Sequence, residues 1–148
     1  MKQNGFTLIE TLVAISLLVV AIVAPMALAT QSLSTAFYAR DQVTASHLAQ
    51  EAIESVRAAR DENILKNAYG TDIDLLSGIP STLGEPFIID TRDNTMTACD
   101  STEGCEPLRN NGEFYAYGTG SGWNETRFTR TVRATFVQGT DEVRINVE

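Results

Sequence analysis

The longest uninterrupted pattern in the chain is apolar. From Thr11 through Ala39 no residue is charged, and Thr11 to Ala29 is apolar except for Thr11 and Ser16. At about 1.5 Å per residue, such a stretch is long enough to cross a bilayer as a helix. Pro25 lies inside it and cannot donate to the carbonyl of Ala21, so a kink or loosened turn is expected there, of a kind that membrane helices tolerate. Further along, the pattern becomes one-sided. Ala45, Leu48, Ala49, Ala52, Val56 and Ala59 recur at helical spacing as a narrow stripe of small residues, while Asp41, Glu51, Glu54 and Arg57 lie largely elsewhere. Glu54 and Arg57 stand at i, i+3, close enough to pair. Residues 30–69 therefore read as the amphipathic continuation of one helix. It starts near Phe6, runs to about Asn67 and stops at Gly70, about 90 Å in all. The alanine stripe admits a close neighbour, either the sheet of its own domain or another helix.

Beyond the helix, Gly70, Gly78, Pro80, Gly84 and Pro86 punctuate a loop over 70–86. Phe87-Ile88-Ile89 and Glu113–Tyr117 are short strand candidates, and Gly118–Gly122 reads as flexible linker. The best strand is Phe128–Val137, where Phe128, Val132, Ala134 and Phe136 face one side and Thr129, Thr131, Arg133 and Thr135 the other. Gly139-Thr140-Asp141 turns the chain, and Val143, Ile145 and Val147 alternate in a partner strand. A sheet this small needs the helix over its apolar face. The expected fold is α+β: one long N-terminal helix with a small antiparallel sheet, drawn from residues 70–148, packed on its outer half. No internal repeat is evident.

Charge narrows the partners. The net charge is -8 and the pI about 4.6, so the molecule as a whole repels phosphate backbones and no nucleic acid is expected as a partner. Arg127, Arg130 and Arg133, close in sequence, are the candidate for a local basic patch. Cys99 and Cys105 are too few for a structural zinc site when the only histidine is His47. A short disulfide loop is expected if this part of the chain is outside the cytoplasm, contributing about 2–2.5 kcal/mol in the chain-entropy model; two free thiols in a surface loop is the alternative. No Gly-x-Ser-x-Gly, phosphate loop or His-Glu-x-x-His pattern occurs. His47 reads as a polar helix-face residue, and neither catalytic residue, metal nor cofactor is expected. Asp90, Asp93, Asp100, Glu103 and Glu106 match no calcium loop and read as solvated carboxylates. Asn124-Glu125-Thr126 fits a glycosylation acceptor, a pattern short enough to arise by chance. Trp123 is either a loop-tip contact or a ring folded back onto the sheet.

The N-terminus holds the one costly residue. Lys2 precedes the apolar stretch and places the N-terminus on the cytoplasmic side, with residues after about 40 outside. Three readings compete. Ala27-Leu28-Ala29 supports a secretory signal cut after Ala29; the segment also fits an uncut anchor; and Glu10 points to a third. An isolated carboxylate in a membrane helix costs on the order of 2.5–3.5 kcal/mol at mid-bilayer and less toward the interface, so it usually has a partner. A cut between Gly5 and Phe6 would create an α-amino group four residues before Glu10, near it at the helix start. The amine of a neighbouring subunit would serve equally, and only that pairing drives assembly.

Gly5-Phe6-Thr7-Leu8-Ile9-Glu10, followed by Thr11-Leu-Val-Ala-Ile-Ser-Leu-Leu-Val-Val-Ala21, resembles the N-terminus of type IV prepilins and type II secretion pseudopilins. Glycine, aromatic, glutamate and a long apolar helix fall in order over about 25 residues, which makes the match specific. The wording from Glu10 to Ile15 is closer to minor pilins of the pilus-modification type than to abundant major pilins. The resemblance implies a leader of residues 1–5, cleavage after Gly5 by a prepilin peptidase, N-methylation of Phe6 by the same enzyme and a docking role for Glu10. Residues 6–29 then serve as transmembrane and assembly helix. The implied partners are the peptidase/N-methyltransferase, the lipid bilayer before assembly, the inner-membrane assembly platform and other pilin subunits. The implied chain is a single-pass cytoplasmic-membrane protein with its C-terminal domain outside, then part of a periplasmic or extracellular filament. It is a structural, minor subunit and not an enzyme. The alternatives are a tip subunit whose loops 90–110 and 118–126 bind a surface, DNA or cargo, and a secretion pseudopilin. Pilin-like sheets often continue past a strand such as 143–147, so a truncated C-terminus is also expected.

Overall fold

A computed structural model of the chain describes residues 5, 7–80, 82–100, 103–139 and 142–148. Phe6, the leader residues 1–4 and two residues of the expected turn, Thr140 and Asp141, lie outside the described residues. One helix, α1 (Leu8–Ala68), accounts for 61 residues and passes through Pro25. Both of its ends have a local cause. At the start, the Thr7 carbonyl accepts the N–H groups of Glu10 and Thr11 at 3.1 and 3.2 Å, and the Thr7 hydroxyl accepts Glu10 N–H at 3.4 Å. Thr7-Leu8-Ile9-Glu10 is thus a capping-box sequence, with Glu10 in the first turn. At the end, Gly70 adopts φ +90°. Its N–H bonds the Asn67 carbonyl and the Thr71 N–H reaches the Lys66 carbonyl, both at 3.0 Å. This six-to-one, five-to-two pair closes the helix, and the left-handed residue it requires is a glycine.

The chain divides into two compact units, residues 1–43 and 44–148. In the first, every described residue from Thr7 to Arg40 is exposed. Its hydroxyls are satisfied within the helix: Thr11, Ser16 and Thr30 donate to the carbonyls of Leu8, Val13 and Ala27, each at 2.8 Å. That arrangement lets hydroxyl side chains sit in an apolar medium without unpaired donors.

The second unit contains the rest of α1 and seven strands: β1 (Leu83–Asp90), β2 (Thr95–Ala98), β3 (Pro107–Asn110), β4 (Tyr115–Ala116), β5 (Asn124–Thr129), β6 (Val132–Phe136) and β7 (Val143–Val147). They form two antiparallel sheets, ordered β2-β1-β6-β7 and β4-β3-β5. Of the alanine stripe, Ala52 packs with Val56, Phe87, Ile89, Val132 and Ala134 into the core cluster, so the element that the small residues admit is this unit's own sheet. Ala45, at the edge of the stripe, stays exposed. Asn63 donates to the carbonyls of Leu75 and Ser77, and Asn67 both donates to the Ile73 carbonyl and accepts its N–H. Two asparagines one turn apart thereby hold the connection from helix to sheet.

The architecture is α+β and pilin-like, a long N-terminal helix plus small antiparallel sheets, with four departures from expectation. Two sheets are present where one was expected. The strand expected over Phe128–Val137 is divided between them at Arg130 and Thr131, where the buried Arg130 side chain bonds α1 and β1. The loop expected over 70–86 ends early: Leu83–Pro86 joins β1, and the register shift between Leu83 and Pro86 absorbs the proline. Glu113–Tyr117 supplies only the two-residue β4, while β2 and β3, whose residues do not alternate cleanly, had no sequence signal.

Candidate functional site

At the N-terminus, Gly5 is exposed, and Phe6 is outside the described residues. Glu10 is exposed, and among the described residues nothing bonds to its carboxylate. Its backbone is engaged by the cap while its charge is not. Around it Leu8 and Ile9 are 82% and 72% exposed. The apolar row continues through Leu12, Ile15, Leu18 and Ile22 to Met26 and Leu33, all exposed. Soluble monomers rarely show an apolar surface this continuous; such a surface is covered by lipid or by other protein. α1 contains one stretch long and apolar enough to cross a membrane by length and composition, and none of that stretch is buried.

Among the described residues no three His, Cys, Asp or Glu side chains come together as a metal site. His47 is exposed on α1. Cys99 and Cys105 are joined, with sulfurs 2.00 Å apart, and close the loop between β2 and β3. The candidate basic patch is dispersed. Arg127 lies on β5, Arg133 on β6 donates to the Gly84 carbonyl at 2.9 Å, and Arg130 is 2% exposed.

Arg130, expected in a surface basic patch, is instead buried in the C-terminal unit. Its guanidinium donates to the Leu48 carbonyl at 3.1 Å, to Glu51 Oε2 at 3.2 Å and to the Ile89 carbonyl at 2.5 Å. It thereby ties α1, β1 and the β5–β6 junction together. Glu51 also accepts the Thr91 hydroxyl at 2.7 Å. The Tyr117 hydroxyl donates to the Arg130 carbonyl at 3.3 Å, and burial pushes the Tyr117 phenol up. The available signal was position: Arg130 has the same parity as Phe128, Val132 and Ala134, so it points where the apolar residues point.

A second cluster joins two loops. Arg92 donates from Nε and Nη2 to the Asp90 carboxylate at 3.0 and 2.6 Å, and its guanidinium stands 5.1 Å from the centre of the Trp123 ring. The fork from Arg92 holds the Asp90 carboxyl below the usual carboxylate range. A Cβ at Gly118 would lie 2.2 Å from Trp123 Cε2, so the indole packs directly on that backbone. Neither reading for Trp123 describes it fully: the ring is folded back, but onto the Arg92 guanidinium and the Gly118 backbone of neighbouring loops.

With this geometry in place, residues 1–24 match the family of the prokaryotic N-terminal methylation motif. The N-terminus is a type IV prepilin-like signal. The motif ends before Pro25, so it spans Gly5, Glu10 and most of the exposed apolar row and none of the C-terminal unit. No curated protein and no solved structure matches the chain. A prepilin-like signal marks a pilin or pseudopilin precursor processed by prepilin peptidase and assembled with other pilins, a structural class of protein. The exposed apolar helix of this prepilin-like chain fits membrane anchoring.

Proposed function

We propose that this chain is a minor structural subunit of a type IV pilus or related pseudopilus. It is cut between Gly5 and Phe6, N-methylated on Phe6 and built into a filament through Glu10 and the apolar helix, and it has no enzymatic role. Lys2 keeps the N-terminus cytoplasmic and the second unit outside. Before assembly the bilayer covers the apolar row; afterwards the helices of other subunits do, delivered through the inner-membrane assembly platform. The observation that carries the reading is an exposed carboxylate with no mate among the described residues, placed five residues after the glycine of a methylation motif and four after Phe6. Cleavage would supply the missing cation as the α-amino group of Phe6, in the same subunit or the next.

Glu10→Ala tests the docking step. The variant is expected to insert and be cleaved normally, read by the size of the membrane-bound chain, yet to incorporate poorly into sheared filaments. Normal incorporation would remove Glu10 from the mechanism. A tip role is favoured by one observation: the Asp90–Arg92–Trp123–Gly118 cluster holds the loops 91–94 and 117–123 in a fixed arrangement, as a recognition surface requires. Under that reading, deleting 119–122 abolishes adhesion or uptake with filament number unchanged; loss of filaments would favour a building role instead.

A further inference from the structure

The apolar row of α1 outlasts the apolar sequence. After Ala29 come Thr30, Gln31, Ser32, Ser34 and Thr35, yet Leu33 and Phe37, four residues apart on one face, carry the row onward. Both are exposed, and Tyr38 beside them is 71% exposed. The Arg40 guanidinium lies over the Phe37 ring, 5.4 Å from its centre, and donates to the Asp41 carboxylate at 3.3 Å. Thr30 and Thr35 donate their hydroxyls to the carbonyls of Ala27 and Gln31, at 2.8 and 3.0 Å. The row therefore ends in two rings and a charge that already has a counter-ion, and these threonine hydroxyls need no water.

Two seatings in a bilayer fit this helix, about one turn apart. Leu8–Ala29, charged only at Glu10, spans about 32 Å and fills a hydrocarbon layer of about 30 Å by itself. So seated, Glu10 falls about 3 Å inside the hydrocarbon, and Tyr38 stands about 14 Å beyond the opposite edge, past a headgroup layer of about 5–8 Å. Leu12–Leu33 is equally long. So seated, Glu10 clears the hydrocarbon by about 3 Å on one side, and Phe37 and Tyr38 clear it by about 6 and 8 Å on the other. Glu10 and Tyr38 are then about 42 Å apart, which matches a bilayer of about 40–45 Å with its headgroups. Helix side chains lean toward the N-terminus, so both rings reach back to the headgroup–acyl boundary, the level tyrosine favours. Thr30, Gln31 and Ser32 enter only the last turn of the hydrocarbon, within about 5 Å of the headgroups.

We propose that Phe37, Tyr38 and Arg40 form an interfacial anchor that docks on the headgroup layer of a lipid bilayer and holds Glu10 among the headgroups of the opposite leaflet. Without it, the apolar run would centre itself and draw a carboxylate into hydrocarbon, where a charge is costly. Lipid is the occupant because the anchor continues the apolar row without a break and stands one bilayer thickness from Glu10. Arg40 is paired with Asp41, so zwitterionic lipid suffices. The inference rests on the anchored reading above and adds the depth at which the helix sits.

The test uses the full chain in phosphatidylcholine vesicles whose acyl chains carry bromine either close to the headgroup or near the chain end. Trp123 is the only tryptophan, so the wild-type chain serves as the fluorescence blank for Tyr38→Trp, Val23→Trp and Leu18→Trp. Tyr38→Trp is expected to be quenched by the shallow bromine and not by the deep one. Val23, close to the middle of Leu12–Leu33, should be quenched by deep bromine more than Leu18, close to the middle of Leu8–Ala29. Replacing Phe37 and Tyr38 by serine should let the helix slide by about 6 Å, roughly one turn, and reverse the order of Val23 and Leu18. Tyr38→Trp unquenched at either depth, with Val23→Trp still quenched, would overturn the anchor and leave the membrane helix standing. An order indifferent to the serine pair would also overturn the anchor. So would loss of Tyr38→Trp quenching as the ratio of chain to lipid rises, which would make the occupant the helix of a second copy. No quenching of any reporter would overturn the anchored reading as well.

Discussion

Arg130 carries its charge inside the C-terminal unit, half-compensated by Glu51 and otherwise held by backbone carbonyls. One donor, Nε, is buried with no partner among the described residues. Removing Glu51 strands that charge, so Glu51→Ala is expected to destabilise the unit by about 2 kcal/mol in urea unfolding. Adding Arg130→Met to it should restore part of the loss, because it removes the stranded charge; a double variant weaker than Glu51→Ala alone would contradict this account. Gly118 is limited by steric room and not by φ. Gly118→Ala should cost about 1–3 kcal/mol as the indole is displaced, with a red-shifted Trp123 fluorescence; an unshifted spectrum would show that the ring is not packed there. Asp90 makes a pH prediction. Its carboxyl is held low in the folded state by Arg92, so its stabilising contribution is full above the unfolded value near about 4 and is lost as pH falls through the depressed folded value. Arg92→Ala should raise the Asp90 midpoint in an NMR titration and flatten the acid limb of stability. Little of this was legible residue by residue. The partners of Arg130 lie 41 to 82 positions away, and no local pattern reports a contact at that separation.

Elements were legible where local chemistry determines them. The apolar run, the small-residue stripe and Gly70 gave α1 within a residue or two at each end, and Glu54–Arg57 forms the expected pair at 2.6 Å. What was missed at the start was the cap: Thr7 and Glu10 are three apart, so part of what Glu10 does is to begin the helix. The strands were legible only as far as alternation holds. β6 and β7 follow it closely, whereas β2 and β3 are short, partly exposed and joined through a disulfide loop, so their pairing is a tertiary outcome. Reduction of Cys99–Cys105 is accordingly expected to lower stability by about 2 kcal/mol while the β6–β7 amides keep their exchange protection; loss of protection across the whole sheet would show that the small loop does more than pin its neighbours.

At the scale of the molecule, two halves with opposite surface chemistry share one helix. The first exposes nearly everything apolar it has; the second encloses a compact core. Such a chain is incomplete alone, since the first half needs lipid or like helices around it. The methylation motif, the unpaired Glu10 carboxylate and the internally satisfied hydroxyls of the first half all meet at one event, the removal of residues 1–5. Mass spectrometry of the N-terminus of chain recovered from assembled fibres reads that event directly. The account predicts a first residue of Phe6 bearing one added methyl group on its amine. A chain starting uncut at Met1, or one starting at Thr30 after release by a secretory peptidase, would contradict it.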